Sequence, residues 1–285
     1  MSAAVIDAPS RHRVMAKFLA NRAALIGLVL VTVFILTAVL AGLISPADPI
    51  KTNFLAVRKA PSALWWFGTD EIGRDILSRM IHGARASLMA GVVSVGIALL
   101  TGVPLGLAAG FYGGWTDAVI SRCTEALLAC PFLILAIALA AFLGPSLVNA
   151  MIAIGISAMP IFIRLTRGEV ISVMAEDYVQ GARAIGLPDR WIMIRYILPN
   201  IFPPLLVQAT LTIAIAIIAE AALAFLGLGQ QPPAPSWGSM LNTAKNFLEQ
   251  APWMSLFPGL AIVFTVLGFN LLGDGLRDAL DPRES

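Results

Sequence analysis

The feature that most constrains this chain is a run, residues 126–163, that contains no charged side chain. A helix that crosses a bilayer needs about 20 mostly apolar residues, so this run is too long for one crossing. Of the 285 residues, 58% are hydrophobic and 13% are charged, whereas soluble domains have about 25% charged residues. We therefore predict an all-α integral membrane protein, and the formal net charge of +2 gives no indication of nucleic-acid binding.

The predominantly apolar runs predict six transmembrane helices, at residues 23–44, 86–112, 126–143, 147–165, 201–228 and 253–273. The third and fourth are separated by Gly144-Pro145-Ser146, which is a turn signal. The first run is longer than the hydrophobic region of a signal peptide, which has about 7–15 residues. We therefore interpret it as an uncleaved span.

An even number of spans places both termini on one side of the membrane. Lys and Arg are more frequent in the segments on that side, which the positive-inside rule assigns to the cytoplasm. The predicted organisation, in chain order, is a cytoplasmic segment 1–22, a first transmembrane helix 23–44, a periplasmic loop 45–85, a five-helix membrane core 86–275 containing a cytoplasmic loop 166–200, and a cytoplasmic tail 276–285.

Small residues recur at every fourth position of the second span. Small side chains let two helices approach closely in lipid, where the hydrophobic effect does not drive helices together. The repeat predicts a packing ridge, against another helix of the chain or against a partner, that consists of Ala90, Ser94, Ala98, Gly102, Gly106 and Gly110. Prolines inside three spans predict kinks, because each removes a helix hydrogen bond; they are Pro104, Pro131 and Pro160.

A charged segment, "AEDYVQGARAIGLPDRWIMIRYILPN" at residues 175–200, interrupts the apolar second half of the chain. It predicts two short helices, the first stopped at Gly186 and the second ended by Pro199. Tyr178, Ala182 and Gly186 are four residues apart, so they share one face of the first helix. This face either packs on the chain's own bundle or binds a soluble partner, and the spacing leaves both interpretations open.

Glu220 is an acidic residue inside the predicted fifth span. A carboxylate within a membrane is costly and usually faces a bundle interior or water. Glu220 is therefore either a residue of a transport pathway or a buried group that bonds to a neighbouring helix. The two histidines, His12 and His82, lie outside the spans and give no support to a metal site in the membrane.

Motifs of other functional classes are absent from the sequence. There is no G-x-x-x-x-G-K-[ST], so this chain has no P-loop of its own for ATP. An H-E-x-x-H metalloprotease motif is missing as well, and "GISAM" at residues 155–159 lacks the last glycine of G-x-S-x-G. An autonomous channel or a secondary carrier remains an alternative, although no internal repeat supports a carrier.

The charged segment resembles the signature loop of permease subunits of ABC importers, which reads E-A-A, three residues, G, nine residues, I-x-L-P. The corresponding positions are Gln180, Gly181, Ala182, Gly186, Tyr196, Ile197, Leu198 and Pro199. Ala182, Gly186, Leu198 and Pro199 match the motif, whereas Gln180, Gly181 and Tyr196 depart from it. "FGTDEIGRDILSR" at residues 67–79 and "AEAALAFLGLGQQPPAPSWGSML" at residues 219–241 resemble the dipeptide, oligopeptide and nickel class of these permeases.

The resemblance implies a six-helix, type I importer permease of a bacterial inner membrane that does no chemistry itself. It implies a paralogous permease subunit that shares the pathway, two ABC ATPase subunits that bind ATP and Mg²⁺, and a periplasmic or lipid-anchored solute-binding protein. The cargo would be a di- or oligopeptide or a peptide-like solute, or alternatively nickel or another small solute. The residues expected to dock on the ATPase are Tyr178, Gln180, Gly181, Ala182, Gly186, Leu198 and Pro199, and the chain itself would bind no cofactor.

Overall fold

The computed structural model describes residues 11–280, and almost all of its regular structure is helical. Within that range the only β-type pairing is an isolated bridge between Thr69 and Asp75. The predicted segments at residues 1–10 and 281–285 lie outside the described residues. The helices are α1 (Arg11–Ala20), α2 (Arg22–Val39), α3 (Ala41–Ile44), α4 (Ile76–Tyr112), α5 (Gly114–Leu128), α6 (Phe132–Leu143), α7 (Leu147–Met174), α8 (Asp177–Ala184), α9 (Asp189–Ile192), α10 (Leu198–Phe225), α11 (Trp237–Ala244) and α12 (Trp253–Leu280).

The predicted spans are present, but the third is not straight. Five helices in the described range are long and apolar enough to cross a membrane, and α5 with α6 makes a sixth candidate that is bent by 89°. The bend lies at Pro131, where a kink is predicted. Pro104 and Pro160 lie within the continuous helices α4 and α7, so kinks at these two prolines stay a prediction.

Helix α4 begins inside the segment predicted as a periplasmic loop. Asp75 caps its N-terminus, accepting a hydrogen bond of 2.8 Å from the backbone N–H of Ser78. A carboxylate at this position satisfies one of the free N–H groups of the first turn and interacts favourably with the helix dipole. The helix then continues to Tyr112, so the polar residues after Asp75 extend the second span.

The predicted small-residue ridge of α4 is confirmed, and it packs inside the chain against α7. All six residues are buried. Positions further along α4 contact positions further along α7, so the two helices run parallel. A Cβ atom added to Gly102 would lie 2.9 Å from the Cβ of Phe162, and one added to Gly110 would lie 2.8 Å from that of Val170. The two backbones therefore approach as closely as glycine allows.

Antiparallel neighbours complete the bundle around this pair. Helix α2 packs on α12, where a Cβ added to Gly27 would lie 2.5 Å from the backbone nitrogen of Leu272. Helix α10 packs on α4, where the Cβ of a residue replacing Gly91 would lie 2.9 Å from the side chain of Ile213. Both ends of the bundle carry short helices: α8 and α9 lie at one end, and α11 lies at the other. We refer to these as the α8 end and the α11 end.

The expectation that Pro199 ends a short helix is wrong. The helix that begins at Asp189 continues to Phe225 without a break. Pro199 is in the first turn of α10, directly after a π-helical turn at Met193–Ile197. This wider turn changes the hydrogen-bond spacing ahead of the proline, so its missing N–H does not stop the helix.

Candidate functional site

The segment from Asp177 to Ile192, which contains α8 and α9 and which we call the α8–α9 segment, has one face against the bundle. Val179 and Ile192 are fully buried there, together with Ala182, which is 4% exposed. They belong to the same apolar cluster as Phe111 and Val170 near the ends of α4 and α7. The interpretation that this helix pair packs on its own bundle is thus correct for one of its faces.

Gly186 ends α8 as the sequence predicts. Its φ angle is +78°, a backbone conformation that residues other than glycine rarely adopt. The N–H of Gly186 donates to the carbonyl of Arg183 at 2.9 Å, and the N–H of Leu187 donates to that of Ala182 at 3.2 Å. This pair of bonds is a Schellman motif, which satisfies the last carbonyls of the helix and turns the chain sharply toward α9.

The rest of the α8–α9 segment, together with the π-helical turn after it, is exposed and carries several large apolar side chains among charged ones. Large side chains at 44–75% exposure lie on it; they are Tyr178, Ile185, Trp191 and Ile194. Arg195 lies over the ring of Trp191, with its guanidinium carbon 5.9 Å from the ring centroid. An apolar surface rimmed by charges at the end of a bundle is typical of a protein-interaction site, and we call it the α8 face.

The predicted docking residues divide between this face and the interior. Tyr178, Gln180, Gly181, Gly186 and Pro199 are exposed, Leu198 is half-buried and Ala182 is buried. Tyr178 and Gly186 are thus accessible to a partner, whereas Ala182 is buried in the chain's own apolar core. Their role in docking stays a prediction.

Glu220 lies fully buried in α10. Its Oε2 is 3.5 Å from the hydroxyl oxygen of Ser87 in α4, and its Oε1 has no hydrogen-bond partner within the described residues. The contact with α4 fits the interpretation of a buried group that bonds to a neighbouring helix. Within this chain the carboxylate of Glu220 faces no open surface. Nothing in the structure therefore tests a pathway role, which stays a prediction.

A cluster of four charged residues lies in the loop before α4 and at the start of that helix. Arg74 pairs with Asp70 at 2.5 Å and with Glu71 at 2.6 Å, and Arg79 lies 3.4 Å from Asp70. Trp253 at the start of α12 also donates to the carbonyl of Thr69 at 3.2 Å. The contact between Asp70 and Arg79 links the loop to the start of α4.

Comparisons with known proteins match most of the chain. Residues 102–285 match the family model described as binding-protein-dependent transport system inner membrane component. Residues 11–61 match the N-terminal TM domain of oligopeptide transport permease C. The chain belongs to this family of importer permeases. The permease is therefore a multi-span subunit of an ABC importer, as its signature loop predicts.

Relatives of the permease cover nearly its whole length. It is 50% identical to the dipeptide transport system permease protein DppC of Alkalihalophilus pseudofirmus over 92% of this chain and 86% of that protein. It is 46% identical to the di/tripeptide transport system permease protein DppC of Pseudomonas aeruginosa, over 93% and 90%. The glutathione transport system permease protein GsiD of Escherichia coli is 44% identical, over 95% and 90%.

A solved structure gives the same fold. The permease superposes on a chain of the MetNI methionine ABC transporter, determined in an inward-facing conformation, with a TM-score of 0.60. The match covers 72% of the permease and 97% of that chain at 18% identity. The fold is thus that of a type I importer permease, as the sequence predicts.

Sequence reasoning missed one ion pair at the α8 end. Arg167 of α7 donates to both carboxylate oxygens of Asp117 in α5, with the Nη2–Oδ2 distance at 2.6 Å. Asp117 also accepts a hydrogen bond of 2.9 Å from Ser121. The pair ties α5 to the helix that leads into the α8–α9 segment. Because its members are 50 residues apart, no spacing rule within one helix could have indicated it.

We expect a double-mutant cycle on Asp117→Asn and Arg167→Gln to give a coupling free energy of about 0.5–1 kcal/mol, because the pair is bidentate but partly exposed. The measurement is the free energy of unfolding of the purified permease in detergent. Arg122 and Glu125 provide the matched control, since this pair at 3.0 Å is 84% and 63% exposed and should give about 0.3 kcal/mol. Equal coupling in the two cycles would contradict a tie between α5 and α7.

Proposed function

We propose that the permease forms, with a second and related permease subunit, the membrane pathway of an ATP-driven importer for di- and oligopeptides. The observation that carries the substrate class is the 50% identity, over 92% of the chain, to a protein described as a dipeptide permease. The other named relatives are described as permeases for di- and tripeptides and for glutathione, which is itself a small peptide. A peptide-like solute is thus common to all three.

The α8 face supports the coupling part of this proposal. It is exposed, it carries large apolar side chains on an ordered helix pair, and the exposed motif residues Gln180, Gly181 and Gly186 lie in the same segment. Two ATPase subunits, which would bind ATP and Mg²⁺, are the partners we assign to this face and to the equivalent face of the second permease. The α8 end then faces the cytoplasm of a bacterial cell, as do both termini. The α11 end faces the solute-binding protein outside the inner membrane.

The test is transport by the purified system in liposomes. We expect uptake of radiolabelled L-alanyl-L-alanine only when the permease, its partner permease, the ATPases, the binding protein and ATP are all present. Omission of the ATPases should reduce uptake to the level of empty liposomes. Uptake by the permease alone would contradict the proposal in favour of a channel or carrier. Uptake of Ni²⁺ but of no peptide by the complete system would contradict the substrate class.

A further inference from the structure

A cavity of about 510 Å³ lies at the α8 end of the bundle. It is lined by the last part of α7, the first half of α10 and the end of α12. The apolar part of its wall consists of Leu165, Val207, Leu211 and Leu280. The volume is within the usual range for small-molecule sites, about 300–1,000 Å³, so the cavity has room for a short peptide.

Two charged side chains line this cavity, and they come from different helices. Glu169 of α7 is half-buried, and Arg277 of α12 is exposed. Neither has a hydrogen bond or an ion pair among the described residues, so the two do not neutralise each other. Arg167, two positions before Glu169, differs in this respect, because its charge is paired with Asp117. The cavity therefore offers one free carboxylate and one free guanidinium.

The first half of α10 adds hydrogen-bond acceptors to the wall. Pro203 and Pro204, which both line the cavity, have no N–H to donate. The carbonyls of Pro199 and Asn200 therefore lack the donors that would complete their helical bonds. The side-chain nitrogen of Gln208 donates to a hydroxyl of the same helix at 3.1 Å, which leaves its side-chain oxygen unused. These oxygens are acceptors for the N–H of a peptide bond.

We propose that this cavity binds a short peptide as a zwitterion, with Glu169 pairing with its N-terminal ammonium and Arg277 with its C-terminal carboxylate. An ammonium group has only donors and a carboxylate only acceptors, so a ligand with one of each satisfies both free charges. A simple cation or a simple anion would leave one of them without a partner. The inference rests on the proposed function, because it takes a peptide as the ligand, and it assigns a peptide site to the permease itself.

The test is equilibrium binding of radiolabelled L-alanyl-L-alanine to the purified complex of the two permeases and the ATPases, without nucleotide and without the solute-binding protein. We expect Glu169→Gln and Arg277→Gln each to raise the Kd about tenfold, because each removes one charge-assisted bond to the ligand. Glu125→Gln and Arg164→Gln are the matched controls. Both residues are exposed and neither lines the cavity, so these two variants should leave the Kd unchanged.

Blocked dipeptides assign each charge of the ligand to its partner. N-acetyl-L-alanyl-L-alanine has no ammonium group, and L-alanyl-L-alanine amide has no carboxylate. We expect each to compete about tenfold more weakly than the free dipeptide. Glu169→Gln should not weaken the acetylated peptide further, and Arg277→Gln should not weaken the amide further, because the interaction that each variant removes is already absent.

An unchanged Kd in either cavity variant, blocked peptides that compete as well as the free dipeptide, or no binding to the wild-type complex would each overturn the assignment of the cavity. Equal competition by phosphoethanolamine would overturn it in favour of a lipid headgroup, which has an ammonium group and a phosphate but no peptide bond. Uptake of the dipeptide by the complete system in liposomes tests the proposed function separately, so a complex that transports but does not bind would contradict the cavity site alone.

Discussion

Gly186→Glu is expected to reduce ATP-driven uptake to background while the permease still inserts and folds. Gly186 is exposed, and no atom of the chain lies within 4 Å of the position that a Cβ would take. A glutamate side chain would therefore project from the α8–α9 segment toward a docked ATPase instead of into the bundle. The measurements are peptide uptake and the peptide-dependent stimulation of ATP hydrolysis in liposomes, and both should be lost.

Gly186→Ala is the control for this variant. Alanine imposes the same backbone strain at φ +78°, about 1–2 kcal/mol, but adds only a methyl group to the surface. We expect it to retain most of the uptake. If Gly186→Ala is as inactive as Gly186→Glu, the Schellman turn and not the surface is responsible. Normal coupled ATPase activity in Gly186→Glu would show that the ATPase does not dock there.

Gly106→Leu is expected to destabilise the permease by about 3 kcal/mol, the upper part of the range for overpacked cores. A Cβ at this position would lie 2.6 Å from the Cβ of Thr166 and 2.7 Å from the backbone oxygen of Ile163. Neither atom can move away without separating α4 from α7. The measurement is the free energy of unfolding in detergent, together with the yield of folded protein.

Gly96→Leu on the same helix is the matched control. No atom lies within 4 Å of the Cβ position of Gly96, so leucine should meet no obstacle there. Replacing a glycine within a helix by a good helix former stabilises it by about 0.5–1 kcal/mol. The two variants should therefore shift stability in opposite directions. A comparable loss in both would mean that hydrophobic bulk, and not the contact between α4 and α7, determines the effect.

The fold class and the packing ridge were predictable because both depend on local patterns. Charge-free runs longer than a bilayer thickness indicate spans, and a four-residue repeat of small side chains marks a surface for close packing. The partner of the ridge was not predictable. Gly106 contacts Thr166 on a helix that runs parallel to α4, and nothing in either sequence pattern fixes this pairing or its register.

The α8–α9 segment shows where sequence reasoning reaches its limit. A glycine stop at Gly186 follows from backbone chemistry, and the structure has it. The direction in which each face points does not follow, so a four-residue spacing placed exposed Tyr178 and buried Ala182 on the same surface. The error at Pro199 has a different cause, because the π-helical turn at Met193–Ile197 changes the hydrogen-bond spacing ahead of the proline and the helix continues through it.

The charged cluster before α4 is local in the chain, because its four residues lie between Asp70 and Arg79. Its pairs were still not predictable, because Asp70 and Arg74 lie in a loop, where the i,i+4 spacing of a helix does not by itself bring two side chains together.

The unbroken helix from Asp189 to Phe225 has 37 residues, so it is about 55 Å long at 1.5 Å per residue. Trp191, near its first end, is part of the α8 face, and Glu220, near its last end, is buried against α4. A single continuous helix thus connects the two ends of the bundle. If an ATPase docks on the α8 face as proposed, a displacement of that face moves the same helix that packs on α4 at its other end.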